Sequence, residues 1–251
     1  MKNVHFFGCS FTAGDELADS EFFPWKFTEE HTQQSYYEKR NMILDQLADS
    51  GRYFEANKKL AYPTYIDSTK YKTVNHAVSG SSLRENVYNI IAQVESDLEP
   101  IDAVYLQIPP IGRELIVNNT DALETITINS IYKFPHHQEY IMAKLKTHGP
   151  MHYVFDSVLD TILIVNYLKS KNIYHKIISF SYGVDLNDLN KLASSNVPKI
   201  FDTIQAFKEI PMLFFKRFYT EQYRLLGGHI NPEGQLAIAA EIQRDLETNL
   251  K

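Results

Sequence analysis

The sequence predicts an α/β protein with a central parallel sheet and helices on both faces. Short apolar segments that are typical of buried strands alternate with segments of helical spacing, each about 15 residues long. Parallel strands need crossover connections of this kind, which are usually helices. At 251 residues the chain is long enough to form one large domain, so we predict a single domain over residues 1–251.

Four strands are predicted, over residues 2–8, 71–76, 101–108 and 173–180. The first is predicted because the apolar run from Val4 to Phe7 stops abruptly at small and polar residues. The third ends at Pro109 and Pro110, which cannot donate hydrogen bonds to a sheet. The carboxyl ends of such strands form the edge where open α/β sheets bind ligands.

Helices are predicted where apolar residues are spaced three and four apart, over residues 33–50, 83–94, 156–171 and 233–250. Ser82 is interpreted as an N-cap, because a serine side chain can accept from the free N–H groups of a first turn. Two or three short helices are expected between residues 185 and 225. Residues 15–32 are interpreted as a loop over the sheet edge, and residues 113–150 as an inserted lobe.

Composition and charge exclude several classes of function. The formal net charge of −6 argues against a general nucleic-acid surface, and no apolar run approaches the ~18 residues of a membrane helix. Cys9 is the single cysteine, so no intrachain disulfide can form, which fits a reducing compartment. We therefore expect the cytoplasm of a cell or of an infected host, with neither nucleic acid nor membrane as a partner. The sequence does not indicate an oligomeric state.

Four histidines are candidate metal ligands: His136, His137, His148 and His152. Gly149 and Pro150 break any helix between the last two, and no acidic residue recurs at ligand spacing. No metal and no cofactor are therefore predicted.

Three motifs carry the functional information. Gly8-Cys9-Ser10-Phe11-Thr12 follows the first strand, Asn75 to Ser82 follows the second, and Gly227-Gly228-His229-Ile230-Asn231-Pro232 precedes the last helix. In order and spacing they resemble the first, second and last blocks of the SGNH, or GDSL, hydrolase family. Cys9 stands where that family usually has aspartate, and this form is similar to divergent members common in phage genomes.

The resemblance implies a three-layer, flavodoxin-like sandwich and a serine hydrolase site. Acyl transfer needs a nucleophile, a base and donors for the oxyanion. By the resemblance these are Ser10, His229, and the N–H groups of Ser10 and Gly80. The implied substrate is an ester of a small polar or carbohydrate-like molecule, cleaved through an acyl-enzyme at Ser10. Two other functions stay open: a catalytically silent binding protein, and an acyltransferase that uses the same serine.

The sequence departs from the family at two positions. The family's acid usually lies three residues before the histidine, where this chain has Leu226. Three explanations stay open: a dyad in which a backbone carbonyl holds His229, an acid from elsewhere such as Glu221, or an inactive site. The family's asparagine after the third strand is also missing. Gln107 or Arg113 could replace it, and Arg113 could instead hold an anionic substrate.

Cys9 is a rival to Ser10 as the nucleophile. Adjacent residues of a strand point to opposite sides, so Cys9 and Ser10 are not both expected to face the site. A free cysteine is usually a small buried hydrophobic residue. Ser10 is therefore the preferred nucleophile.

Overall fold

The computed structural model describes residues 1–22, 40, 42–43, 50–96, 98–110, 112–117, 123–127, 135–148, 151–180, 198–218, 220–225 and 228–250. Five parallel strands form its central sheet: β1 (Lys2–Phe7), β2 (Tyr71–Asn75), β3 (Ala103–Gln107), β6 (Tyr174–Ser179) and β7 (Met212–Phe214). They lie side by side in the order β2-β1-β3-β6-β7, and every adjacent pair is parallel. The prediction of an α/β fold around a parallel sheet is confirmed.

Helices precede, follow and connect these strands. In chain order the described helices are α1 (Ser10–Ala13), α2 (Asp19–Phe22), α3 (Ser50–Leu60), α4 (Leu83–Glu95), α5 (Pro135–His148), α6 (Met151–Ser170), α7 (Pro198–Lys208) and α8 (Pro232–Asn249). Short 3₁₀ turns lie at residues 62–65, 216–218 and 221–223.

The central strands are buried on both faces, and alternate residues enter two different cores. On β1, Val4 and Phe6 pack in a core that includes Ile238 and Ile242 of α8. Phe7 belongs to the opposite core, which is built with apolar residues of α4, α6 and α7. Helices therefore cover both faces of the sheet, which gives three layers.

The segment predicted as an inserted lobe contains three described elements. Strands β4 (Arg113–Val117) and β5 (Leu123–Thr127) pair antiparallel in a separate two-stranded sheet. Helix α5 follows them at Pro135–His148.

Of two local predictions about helices, the structure confirms the N-cap and contradicts a helix end. Ser82 caps α4 as expected: its Oγ accepts from the Glu85 N–H at 3.1 Å, and the Glu85 carboxylate accepts from the Ser82 N–H. Most of residues 33–50 lies outside the described residues. The predicted end of that helix at Ser50 is wrong, because Ser50 and Gly51 lie within α3, which buries Tyr53 and Asn57 one turn apart.

The sequence analysis also missed β7 and placed the start of α6 five residues late. Strand β7 has only three residues after Pro211 and pairs with β6 at the edge of the sheet. Three residues are too few to show a strand period. Helix α6 begins at Met151 rather than Asp156, and its first turns bury Tyr153 and Val154.

The strand order contains a switch point next to β1. From β1 the chain crosses to β2 on one side, and it then returns to β3 on the other side. Ligands of open α/β sheets bind at such a point, beyond the carboxyl ends of the strands. The described residues contain no helix of the length and apolarity that crossing a membrane requires.

Candidate active site

The loop after β1, residues 8–18, is the centre of the candidate site. Ser10 opens the single-turn helix α1, and Gly14 ends it in a left-handed conformation with φ of 76°. The Asp15 N–H donates to the Ser10 carbonyl at 3.0 Å, so the chain turns back immediately after α1. Although residues 8–18 form a connecting loop with only a single helical turn, nearly all of them are buried.

Gln107, at the end of β3, fastens this loop to the sheet. Its Oε1 accepts from the Cys9 N–H at 3.1 Å and from Thr12 Oγ1 at 3.0 Å. Its Nε2 donates to Cys9 Sγ at 3.3 Å and to the Ile108 carbonyl at 3.1 Å. Gly8 permits this approach, since an added Cβ would lie 2.8 Å from Gln107 Oε1.

Cys9 lies under the loop, with its side chain fully buried. Its thiol belongs to the core beneath α8 and lies 3.4 Å from Gln107 Oε1. Ser10 Oγ donates to Cys9 Sγ at 3.8 Å, which is a weak contact. The Cys9 side chain therefore packs inward as a small hydrophobic residue.

The second motif forms a turn that is tied to the loop after β1. The Val78 N–H and Ser81 Oγ both donate to the Gly8 carbonyl, at 3.2 and 2.9 Å. Between them, Gly80 has φ of 85° and nothing within 4 Å of the position a Cβ would take. Its N–H has no acceptor among the described residues. The first and second motifs therefore meet at one edge of the sheet.

The third motif brings His229 to the same loop. The His229 carbonyl accepts from the Leu225 N–H at 2.7 Å, and Arg224 forms an antiparallel bridge with Ile230. Asn231 then caps α8 by accepting from the Gly234 N–H at 2.9 Å. His229 is held between this turn and the helix cap, and it is only 9% exposed.

His229 contacts two residues of the loop after β1. Its Nδ1 lies 2.9 Å from Glu16 Oε1, and its ring packs against Phe11 with 5.2 Å between ring centroids. Phe11 is the residue after Ser10, and it also stacks on Phe180 beyond β6. No hydrogen bond joins Ser10 Oγ and His229 directly within the described part of the chain. Catalytic hydrogen bonds often tighten only when substrate is bound.

Glu16 holds its position at a cost in backbone energy. It has φ of 74°, a left-handed conformation that costs a non-glycine residue about 1–2 kcal/mol. It is 4% exposed, so its carboxylate is almost entirely removed from water. Backbone strain of this kind clusters at functional sites, so Glu16 is a candidate site residue.

The sequence analysis left three explanations for the missing acid, and the structure supports the second with a different residue. A carboxylate, not a backbone carbonyl, contacts His229 Nδ1, and the carboxylate is that of Glu16. Glu221 is exposed on its 3₁₀ turn. Leu226 lies outside the described residues.

The sequence analysis missed Glu16 because it interpreted residues 15–32 as a loop over the site. The available signal was the acidic pair Asp15-Glu16 directly after Gly14, within six residues of the candidate nucleophile. Nothing in a single sequence pairs that acid with a histidine more than 200 residues later.

The remaining predicted residues lie around this centre. Gln107 is beneath the loop, and both hydrogens of its amide group are used by Cys9 and Ile108. Arg113 starts β4 and donates from Nη1 to the Ser81 carbonyl at 3.2 Å, beside the Gly80 turn.

The histidines weighed as metal ligands lie on α5 and α6. The rings of His148 and His152 are 4.9 Å apart, and His152 Nε2 lies 3.1 Å from Asp156 Oδ2. In the described ranges no three His, Cys, Asp or Glu side chains form a group that could hold a metal ion.

Comparisons with known proteins complete the description. No family model and no curated protein matches the chain. Among solved structures it is similar to the psychrotrophic esterase EstA from Pseudoalteromonas sp., at 12% identity over 100% of this chain and 99% of that chain, with a TM-score of 0.44. It is also similar to a GDSL-like lipase from Bacteroides thetaiotaomicron, at 14% identity over 98% and 88% of the two chains, with a TM-score of 0.43.

A third similar structure is the lipase/acylhydrolase from Enterococcus faecalis, at 12% identity over 99% of this chain and 96% of that chain, with a TM-score of 0.44.

Proposed function

We propose that the protein is a serine esterase that works through an acyl-enzyme at Ser10, with His229 as the general base. The observation that carries the proposal is the 2.9 Å contact between His229 Nδ1 and Glu16 Oε1, beside the loop that bears Ser10. It supplies the acid that the third motif lacks.

The contact determines which ring nitrogen can act as the base. An ionised carboxylate can only accept hydrogen bonds, so the Glu16 contact requires the hydrogen of a neutral imidazole to be on Nδ1. Nε2 then carries the lone pair that can take a proton from a serine hydroxyl. Glu16 also stabilises the imidazolium that forms once the proton has moved.

The reaction follows in two balanced halves. Ser10 Oγ attacks the ester carbonyl carbon while its proton passes to His229 Nε2, and a tetrahedral oxyanion forms. The bond between that carbon and the leaving oxygen then breaks, and the alcohol departs with the proton from His229. Water attacks the acyl-enzyme by the same sequence of steps, which releases the carboxylic acid and restores Ser10.

The oxyanion donors we propose are the backbone N–H groups of Ser10 and Gly80. The Gly80 N–H has no acceptor among the described residues, and its turn is tied to Gly8 from both sides. Such donors stabilise charge only where it develops, in the tetrahedral state. Gln107 is not among the proposed donors, because both hydrogens of its amide group already bond to Cys9 and Ile108. Its contribution is to hold the loop after β1 in place.

The proposed substrate is an ester of a small polar or carbohydrate-like molecule, which is the class that the family resemblance implies. Arg113 supports a polar substrate, because a guanidinium has five N–H donors and Ser81 uses one of them beside the Gly80 turn.

The test is covalent labelling with a fluorophosphonate, which reacts with activated serines. Wild type should be labelled and Ser10→Ala should not. Ser170→Ala is the matched control, because it also removes one serine hydroxyl, from the end of α6, and should be labelled like wild type. Absence of both labelling and Ser10-dependent ester turnover would overturn the proposal in favour of a silent binding protein. Turnover that yields a transferred ester instead of free acid would identify an acyltransferase.

A further inference from the structure

We propose that Asp15 is a positioning residue that holds the Gly80 oxyanion donor in place through Ser79. This inference rests on the proposed esterase function and deepens it. Ser79 Oγ donates to Asp15 Oδ2 at 2.5 Å, which joins the turn after β2 to the loop after β1. Ser79 immediately precedes Gly80, so this bond acts on the peptide unit whose N–H would meet the oxyanion.

Gly80 receives little support from packing, which gives the Ser79 bond its importance. The space around the Gly80 Cβ position is empty to 4 Å, and glycine itself permits a wide range of backbone angles. The two flanks of the turn are fixed by the bonds from Val78 and Ser81 to the Gly8 carbonyl. The bond to Asp15 fixes the middle of the turn.

Asp15 and Glu16 are consecutive, yet they serve opposite sides of the site. Asp15 accepts from Ser79 on the oxyanion side, whereas Glu16 contacts His229 on the base side. A single dipeptide of the nucleophile loop therefore sets the distance between the base and the oxyanion donor. This is the geometry that the tetrahedral intermediate would require to be constant.

The burial of Asp15 is hard to explain by stability alone. The residue is 2% exposed, and its Oδ1 has no hydrogen-bond partner among the described residues. Its ion pair with Arg40 is long, at 3.6 Å from Nη2, and Arg40 also donates to the Tyr53 hydroxyl at 2.9 Å. Burying an incompletely paired carboxylate usually destabilises a fold relative to an apolar residue. A positioning role accounts for its presence here.

The experiment uses Ser79→Ala, Asp15→Asn, their double variant and Ser79→Thr. We would measure kcat and KM on an aryl acetate, the rate of Ser10 labelling by a fluorophosphonate, and the thermal midpoint. Ser96→Ala is the matched control, since it also removes one serine hydroxyl bond. Ser96 lies at the end of α4, on the side of the sheet where β3 begins.

Each single variant should lower kcat and the labelling rate about 10- to 100-fold, because a misplaced donor stabilises the oxyanion poorly. KM should change by less than about threefold. The double variant should lose no more than the worse single variant, since the two residues act as one unit. Ser79→Thr, which keeps a hydroxyl, should recover most of the activity, and Ser96→Ala should behave as wild type.

A folded Ser79→Ala protein with wild-type kcat and labelling would overturn this inference and leave the esterase intact. A loss confined to KM, or losses that multiply in the double variant, would also overturn it. Failure of the esterase proposal has a different signature, because wild type itself would then show no Ser10-dependent labelling or turnover, and the inference would fall with it. Ser79→Ala keeps the test decisive if Asp15→Asn does not fold.

Discussion

His229 and Glu16 are 213 residues apart in sequence, and their side chains share a 2.9 Å hydrogen bond, with Glu16 on the loop that also bears Ser10. The histidine comes from the turn before the last helix, and the acid comes from the loop after the first strand. In the family that the motifs resemble, the acid precedes the histidine on its own loop. In the proposed site the loop after β1 would supply both the serine and the acid, so the conformation of this loop would determine the positions of two of the three catalytic groups.

Ser10 and His229 should behave as one catalytic unit. Ser10→Ala and His229→Ala should each lower kcat on an aryl ester by a similar large factor, about 10³-fold or more. The double variant should lose little beyond either single variant, because each change already removes the same step. Steady-state kinetics of the three proteins provide the measurement, and independent, multiplying losses would contradict the assignment.

Glu16→Gln should lower kcat by about 10²–10⁴-fold while the protein stays folded. The amide that replaces the carboxylate can donate to Nδ1, which favours the tautomer whose Nε2 carries a hydrogen and cannot accept one. Glu221→Gln is the matched control, since Glu221 is exposed and should not affect turnover. If Glu221→Gln lowers activity and Glu16→Gln does not, the acid has been assigned to the wrong residue.

Gln107→Leu should destabilise the fold by about 2–4 kcal/mol. The substitution leaves the buried Cys9 N–H without its acceptor and the Thr12 hydroxyl with only the Tyr62 hydroxyl as a partner, and an unsatisfied buried group carries the full desolvation penalty. Gln243→Leu is the comparison, because Gln243 also accepts from one backbone N–H but lies partly exposed, so its loss should cost less than about 1 kcal/mol. Urea unfolding of both variants measures the difference, and equal losses would contradict the role given to Gln107.

Alanine at Gly8 and at Gly80 should have unequal effects on stability. At Gly8 a Cβ would lie 2.7 Å from Thr12 Oγ1 and 2.8 Å from the Gln107 side chain, so Gly8→Ala should cost about 2–3 kcal/mol. At Gly80 the space is open, and Gly80→Ala should cost only about 1 kcal/mol for its left-handed backbone. Thermal or urea unfolding would show the order, and a larger loss at Gly80 would contradict it.

Acid should destabilise the protein through His5 and His76. His76 Nε2 lies 3.0 Å from His5 Nδ1, and burial lowers the pKa of His5 and lowers the pKa of His76 to about 4, the latter helped by the neighbouring His5 and Lys58. The unfolded chain therefore binds more protons than the folded one between about pH 6.5 and 4. The free energy of unfolding therefore carries no penalty from these two histidines above that range, and it falls as the pH falls through the range.

His76→Phe tests this pH dependence. It removes the titrating group and keeps a ring that can stack on Phe7. After allowance for solvent screening at this partly exposed site, the free energy of unfolding lost between pH 7 and pH 4 should shrink by roughly 1–2 kcal/mol. His148→Gln, at an exposed position, should leave the acid loss unchanged. An acid loss in His76→Phe equal to that of wild type would contradict the prediction.

Four of the five strands of the central sheet were predictable from sequence, including β2 at one side, while β7 at the other side was not. Strand β3 is buried throughout and is an apolar run that ends at Gln107, whereas β1 and β6 contain polar residues and are buried toward their carboxyl ends. Strand β7 is three residues long, and a sequence pattern needs more residues than that to show a period. Ser82 was recognised as a cap because capping depends on residues three positions apart.

The sequence by itself determined the alternation of strands and helices and pointed to Ser10 and His229, because these features follow from local periods and short motifs. Only the tertiary structure decided which acid meets His229 and which serine meets Asp15. The loop after β1 meets the turn after β2 in one pair and the turn before α8 in the other. A single sequence does not show which of these distant segments lie close together in space. The parallel sheet brings them together, since it places the ends of its strands at one edge.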